Sequence, residues 1–208
     1  MKPEIQRMLN FYDTSTTANS INALKEVIQE IILSSFSKTD FFEKAAFYGG
    51  TALRIFHNLN RFSEDMNFSL KEPNPNFSMA EYLKIAEEEL NSYGFEMYTS
   101  YKEKQANSAI RSGFLKGNTA NHFVKILSHN KPISGVSNNA QLSIKVEIDT
   151  DPPSGANYEN LYRFLPFNFL ATLFDLPSLF AGKLHALLCR SWATREKGRD
   201  FYDYVWYL

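Results

Sequence analysis

Cys189 is the only cysteine in the chain, so no intramolecular disulfide can staple the fold. An excess of charge of one sign is missing too. The formal net charge is -1 and the isoelectric point lies near 6.4, which excludes a broad cationic field and a large non-specific DNA binder. Nucleic acid, if bound, must meet local basic clusters. Long apolar runs are absent: the most apolar stretch, residues 164–174, is interrupted by Pro166 and Asn168 and is too short to cross a bilayer. The opening Met1-Lys2-Pro3-Glu4 has no apolar signal region, so a cytoplasmic protein without a membrane partner is expected. No repeats or low-complexity tracts occur. What is present is 208 residues at 44 % hydrophobic content, enough for one sizeable core or a core with a helical appendage.

Helical and strand patterns alternate. Ile21, Leu24, Val27, Ile28, Ile31 and Ile32 recur at helical spacing behind the capping residues Asn19 and Ser20, and predict a packing helix. Lys25 lies on that helix, outside any motif. Asp40 and Glu43 form a capping-box pair for a short helix. Residues 71–77, with two prolines and two asparagines, read as a loop. Ser78 and Glu81 open another helix, with Tyr82, Ile85, Ala86 and Leu90 as its buried stripe and Gly94 as its stop. Residues 95–101 alternate as a strand does. Between residues 102 and 139 the periodicities are mixed, and the part rich in Asn, Ser and Gly after His129 reads as loop.

The chemistry concentrates elsewhere. A short apolar segment, residues 45–48, ends in Gly49-Gly50, where backbone N–H groups can approach a polyphosphate with no Cβ in the way. Thr51, Ala52, Leu53, Ile55, Phe56 and Leu59 then follow helical spacing, and a helix start attracts anionic oxygens. Residues 65–70 alternate polar with apolar, which points Asp65 and Asn67 to one face and Met66, Phe68 and Leu70 to the core. Oxygen ligands side by side on a strand suit a hard cation such as Mg²⁺, shared with a triphosphate.

Residues 142–149 alternate as well, with Leu142, Ile144, Val146 and Ile148 on one face and Ser143, Lys145, Glu147 and Asp149 on the other. Paired beside residues 65–70, this strand completes a metal site; alone, it is a half-exposed edge with solvated charges. Asp149 and Asp151 shape the turn at Pro152-Pro153. A helix from about Pro177-Ser178 carries a stripe of Leu179, Phe180, Leu184, Leu187, Leu188 and Trp192. On its surface Lys183 and Arg190 are nearly in line and can present two positive groups, and Gly182 would allow close approach of a ligand or backbone. His185 reads as structural, since no second His or Cys stands at zinc-ligand spacing. The basic run Thr194-Arg195-Glu196-Lys197-Gly198-Arg199 leads into a helix starting at Asp200, which is either a helix-start acid or a site residue, with Asp203 one turn further as its partner.

Taken together, Gly49-Gly50-Thr51-Ala52-Leu53, Arg61-Phe62-Ser63-Glu64-Asp65-Met66-Asn67-Phe68, Ile144-Lys145-Val146-Glu147-Ile148, Phe180-Ala181-Gly182-Lys183-Leu184-His185-Ala186-Leu187 and Gly198-Arg199-Asp200-Phe201-Tyr202-Asp203 resemble the AbiEii-like nucleotidyltransferase toxins of abortive-infection and toxin-antitoxin systems. Those toxins belong to the polymerase-β-type nucleotidyltransferase superfamily. The resemblance covers nearly the whole chain, in the family's order. It implies an α+β nucleotidyltransferase fold: a small mixed sheet carrying the acidic site in residues 1–175, packed by helices, and a helical C-terminal part over residues 176–208.

The resemblance also assigns roles. Asp65, Asn67 and Glu147 would hold Mg²⁺; Gly49, Gly50, Thr51, Ser63, Lys183 and Arg190 would bind an NTP; Asp65, Lys183 and Asp200 would be catalytic. The family pattern carries Asp where this chain has Asn67, and an amide can ligate but lacks the charge that favours a second metal. The implied reaction is transfer of a nucleotide to an RNA, such as the 3′ end of a tRNA, causing growth arrest relieved by an antitoxin. Arg111, Lys116, Arg195, Lys197 and Arg199 would receive the RNA backbone. Members of this family continue into further helices, so the chain reads as a shortened or compact variant. The rival readings are a noncatalytic NTP-binding regulatory module and a plain interaction domain.

Overall fold

The computed structural model describes residues 2–101, 109–118, 141–189 and 198–208. Its centre is a mixed sheet of seven strands in the order β3-β4-β5-β2-β1-β7-β6, an α+β architecture as expected. The strands are β1 (Ala45–Tyr48), β2 (Met66–Leu70), β3 (Met97–Tyr101), β4 (Ile110–Asn118), β5 (Gln141–Asp149), β6 (Tyr158–Arg163) and β7 (Phe169–Phe174). β2 runs parallel to β5 and β1 to β7, while the other pairs are antiparallel. β4 emerges from the stretch of mixed periodicity; the loop expected after His129 lies outside the described residues.

The helices are α1 (Pro3–Leu9), α2 (Thr17–Ser37), α3 (Phe41–Lys44), α4 (Gly49–His57), α5 (Ala80–Ser92), α6 (Leu176–Cys189) and α7 (Gly198–Tyr207). The long α2 starts ahead of its expected caps, because the Thr16 hydroxyl accepts the Asn19 N–H at 3.1 Å while Ser20 donates to the Thr14 carbonyl. The capping box at Asp40 does not form. Its backbone is near-helical rather than extended, and its carboxylate instead pairs with Lys44 at 2.6 Å and accepts from the Tyr82 hydroxyl at 2.8 Å. On α5 the buried stripe is Leu83, Ala86 and Leu90; Ile85 falls outside it, 37 % exposed, and Gly94 ends the helix with φ +89°.

One face of the sheet builds the core. Ile28, Ile31, Ile32 and Phe36 of α2 meet Phe47, Phe68, Val146 and Ile148, all fully buried, with Phe41 stacked obliquely on Phe36 at 4.4 Å between ring centroids. The alternation of β2 and β5 therefore turns Asn67 and Glu147 away from the core, to the face where α6 and α7 lie near the start of α4.

Candidate active site

The register of β2 on β5 sets Asn67 directly beside Glu147, with Asp65 just before β2 begins. Glu147 is fixed from two sides: the Ser112 hydroxyl donates to it at 3.0 Å and the Lys145 ammonium pairs with it at 2.6 Å. The half-buried Asp65 carboxylate accepts no hydrogen bond among the described residues. Burial first, then the nearby Glu147 and Glu64 carboxylates, hold its pKa above the ordinary aspartate value, against the opposing pull of Lys145 and Arg199. The Asn67 amide nitrogen leans toward the Asp65 carbonyl at 3.4 Å, which leaves the amide oxygen as its ligand-capable end.

Across from these acids stands the start of α4, straight after β1. Gly49 has φ +83°, a conformation side chains resist, and a Cβ there would come within 3.2 Å of the Asn67 amide. Gly50 is tighter still: a Cβ would stand 2.9 Å from both the Arg61 guanidinium and the Ser63 hydroxyl. Thr51 is fully buried and its hydroxyl donates to the Asp65 carbonyl at 2.5 Å. That proton holds the turn before β2, so the Thr51 hydroxyl proton is not left for a ligand. The Ser63 hydroxyl makes no hydrogen bond among the described residues.

Arg61 links this corner to the C-terminal helices. Its Nε and Nη2 donate to the two oxygens of Asp203, each at 2.6 Å, and Asp203 is fully buried. The Lys183 ammonium lies 2.7 Å from Asp203 and 3.0 Å from Asp200. Gly50, Arg61, Asp203, Lys183 and Asp200 thus form one run of contacts joining α4 to α6 and α7.

A family model, that of the AbiEii nucleotidyltransferase toxins of type IV toxin-antitoxin systems, matches residues 31–208. The chain belongs to this family. The AbiEii chain is also similar in fold to JHP933 from Helicobacter pylori, at 18 % identity and a TM-score of 0.52, over 89 % of this chain and 65 % of that one. It is similar to MenT4, a nucleotidyltransferase toxin of Mycobacterium tuberculosis, at 19 % identity and a TM-score of 0.59, over 95 % of this chain and 62 % of that one. It therefore spans less than two thirds of the length of either structure. No curated protein matches the sequence.

In this AbiEii chain the fold brings Asp65, Asn67 and Glu147 to one face and Lys183 onto Asp200, while Gly49, Gly50, Thr51 and Ser63 ring the start of α4. Among the described residues no three His, Cys, Asp or Glu side chains form a metal-holding group; the oxygen set is two carboxylates and an amide. Arg190, Arg195, Lys197 and Trp192 lie outside the described residues.

Several expectations change. Nothing approaches the position of a Cβ on Gly182, so that glycine serves no close contact among the described residues. Leu188 is 80 % exposed rather than part of a core stripe, whose buried members on α6 are Leu179 and Ala186. His185 is exposed, and α7 begins at Gly198, ahead of Asp200. Arg111 sits on the opposite face of β4 from Ser112 and donates to the Pro75 carbonyl, whereas Lys116 shares the face of Glu147. Lys25 is not outside the motif: its ammonium pairs with Glu64. Sequence reasoning also missed Gln29, whose amide donates to the Ser63 and Glu64 carbonyls at 3.0 and 2.8 Å. It also assigned no role to Arg61, although that residue lies inside a quoted motif, or to Lys145, although it shares the strand parity of Glu147.

Proposed function

We propose that this AbiEii family member is an Mg²⁺-dependent nucleotidyltransferase toxin that moves a nucleotide from an NTP to an RNA acceptor, such as the 3′ end of a tRNA. The observation that carries the reading is the pairing of Asn67 with Glu147 beside Asp65, on the sheet face next to the glycine start of α4. The residues fit the cation: all offer hard oxygen ligands, and Asp65, its pKa raised first by burial and then by the neighbouring Glu147 and Glu64 carboxylates, is a buried acid that a cation would stabilise in its charged form. Asp65, Asn67 and Glu147 would hold Mg²⁺, which when bound supplies charge neutralisation at the phosphates and a lower pKa for the attacking hydroxyl.

The protein's own groups do the rest by positioning and by electrostatics. The N–H groups of Gly49, Gly50 and Thr51 and the Ser63 hydroxyl bind the triphosphate. Lys183 neutralises charge on the phosphates as the acceptor hydroxyl attacks the α-phosphorus and pyrophosphate leaves, and Arg190 adds a second positive group. Asp200 orients Lys183 through the 3.0 Å contact, or takes the proton of the attacking hydroxyl. Lys116 and Arg199 receive the acceptor backbone. Residues 1–175 carry the acids and residues 176–208 the lysine block. The protein acts in the cytoplasm, where a cognate antitoxin restrains it; among the described residues no helix is long and apolar enough to cross a membrane.

Incubating the pure protein with labelled NTP, Mg²⁺ and total tRNA tests the reading. Label on RNA that is lost on chelation supports it. NTP binding without transfer replaces it with the regulatory module, and neither binding nor transfer with the interaction domain.

A further inference from the structure

A second feature asks for a ligand and is independent of the transfer reading. Between α1, α2, the C-terminal half of α4 and the β6–β7 connection lies a cavity of about 570 Å³, in the range of small-molecule sites. Helix α2 buries two carboxylates beside it, Glu26 and Glu30, 5 % and 2 % exposed. Glu26 takes the Arg54 Nε at 2.7 Å; Glu30 takes an Arg163 Nη2 at 2.5 Å and the Tyr12 hydroxyl at 3.2 Å. The second oxygen of Glu30 and the Nε of Arg163 are buried without any partner. Buried ion pairs are seldom the most stable way to fill such a space, and orphaned polar atoms make this one worse. Its composition therefore points to a use other than packing.

What the cavity offers a visitor is set by which atoms are accessible. The two carboxylates lie beneath the lining, their side chains 7 % and 3 % exposed, whereas Arg54 and Arg163 are 26 % and 33 % exposed. Arg163 has given one N–H, from Nη2, to the described residues and its Nε is buried, so the planar end-on pair of Nη1 and Nη2 is the fork that remains. Such a fork fits a carboxylate or a phosphate. Apart from Asn58 and Asn60, the rest of the lining is aromatic and apolar, with Phe11 and Phe164 77 % and 68 % exposed and so left uncovered at the protein surface. We propose that this cavity binds a small aromatic oxyanion, its carboxylate or phosphate on Arg163 and its ring against Phe11, Tyr12 and Phe164.

Three isosteric probes read the sign and the shape of the site: benzoate, the neutral benzamide and the cationic benzamidine. Each is titrated into the full chain carrying ¹³C-labelled methyl groups, with the buried Met8 and Ile55 methyls, both in the cavity lining, as reporters. Benzoate should shift them saturably, benzamide should bind at least about tenfold more weakly, the loss of one charge-assisted contact, and benzamidine should not saturate. Arg163→Lys keeps a charge for Glu30 but removes the fork, and should weaken benzoate while the fold stays intact. Phe164→Ala, at an exposed position, should weaken all ring binding. Benzamidine binding as tightly as benzoate, benzoate binding unchanged in Arg163→Lys or in Phe164→Ala, or no saturation by any probe would each overturn the proposal.

Discussion

The strand pair β2–β5 and the helix pair α6–α7 supply opposite sides of the candidate site, and they are held by different forces. Asn67 and Glu147 stand where they do because Met66, Phe68, Val146 and Ile148 are fully buried on the other face, so hydrophobic burial and strand register place them. In α7 the one buried residue is a carboxylate, Asp203, while Phe201 and Val205 are 56 % and 67 % exposed. That helix is fastened by ion pairs, helped by Trp206 and Tyr207 against a small apolar cluster. The acids thus rest on a foundation indifferent to charge, and the lysine on one made of charge.

Removing an acid should disable chemistry without loosening the sheet. In Asp65→Asn, transfer should be abolished while stability at neutral pH is unchanged or higher. The sign follows from the raised folded-state pKa: the native protein holds this proton at higher pH than the unfolded chain, so stability is lost as pH rises through that pKa. The variant's advantage should accordingly fade on acidification and be gone below the ordinary value of 3.8. Urea unfolding across pH, beside the labelled-transfer assay, checks both halves; retained transfer would remove Asp65 from the mechanism.

Removing the charge anchor should do the reverse. Asp203→Ala leaves the Arg61 guanidinium without its buried partner and should cost about 3–5 kcal/mol, with α7 the first element to lose amide protection in hydrogen exchange. Arg61→Ala combined with it should cost clearly less than the two single changes added together. Strict additivity would mean that the pair does not fasten the helix.

Lys183 sits on the boundary between the two regimes. Lys183→Ala should lower transfer by roughly 2–4 kcal/mol of transition-state stabilisation, with a smaller loss of stability than Asp203→Ala because Arg61 still pairs with Asp203. Lys183→Arg should rescue only in part. Lys25 cannot be the control, since its partner Glu64 adjoins Asp65 in the candidate site; Lys84, exposed on α5 and paired with Glu87 one turn along the same helix, can. If Lys84→Ala and Lys183→Ala behave alike in transfer, the helix lysine has no part in the chemistry. The smallest effect is expected from Asn67→Asp, which should shift the Mg²⁺ dependence of transfer to lower concentration; an unmoved titration would show that this side chain does not face the cation.

How legible each part is in the sequence follows the same division. β5 can be read directly, because apolar and polar residues alternate without a break from Leu142 to Asp149 and burial follows that alternation. β4 cannot: its core-facing positions include Gly113 and Gly117, leaving Leu115 as the lone large apolar residue of that face. The pairing of β2 with β5 is a parallel contact between distant segments, so local pattern can state it only as a condition. Caps are harder still. Asp40 has the right residue type and spacing, yet Lys44 and Tyr82 compete for its carboxylate and win. Among the candidate site residues, the acids and the glycines announce themselves through strand period and turn chemistry. The Arg61–Asp203 pair does not, since nothing near either residue marks a partner 142 positions away.

That separation also orders events on the ribosome. Arg61 leaves the peptidyl-transferase centre 142 residues before Asp203, an interval on the order of ten seconds at ordinary elongation rates. During that time the sheet acids and the glycine turn can be made, but the helix that seats the lysine does not yet exist. A nascent chain in which α7 has not yet been made therefore cannot carry the assembled candidate site.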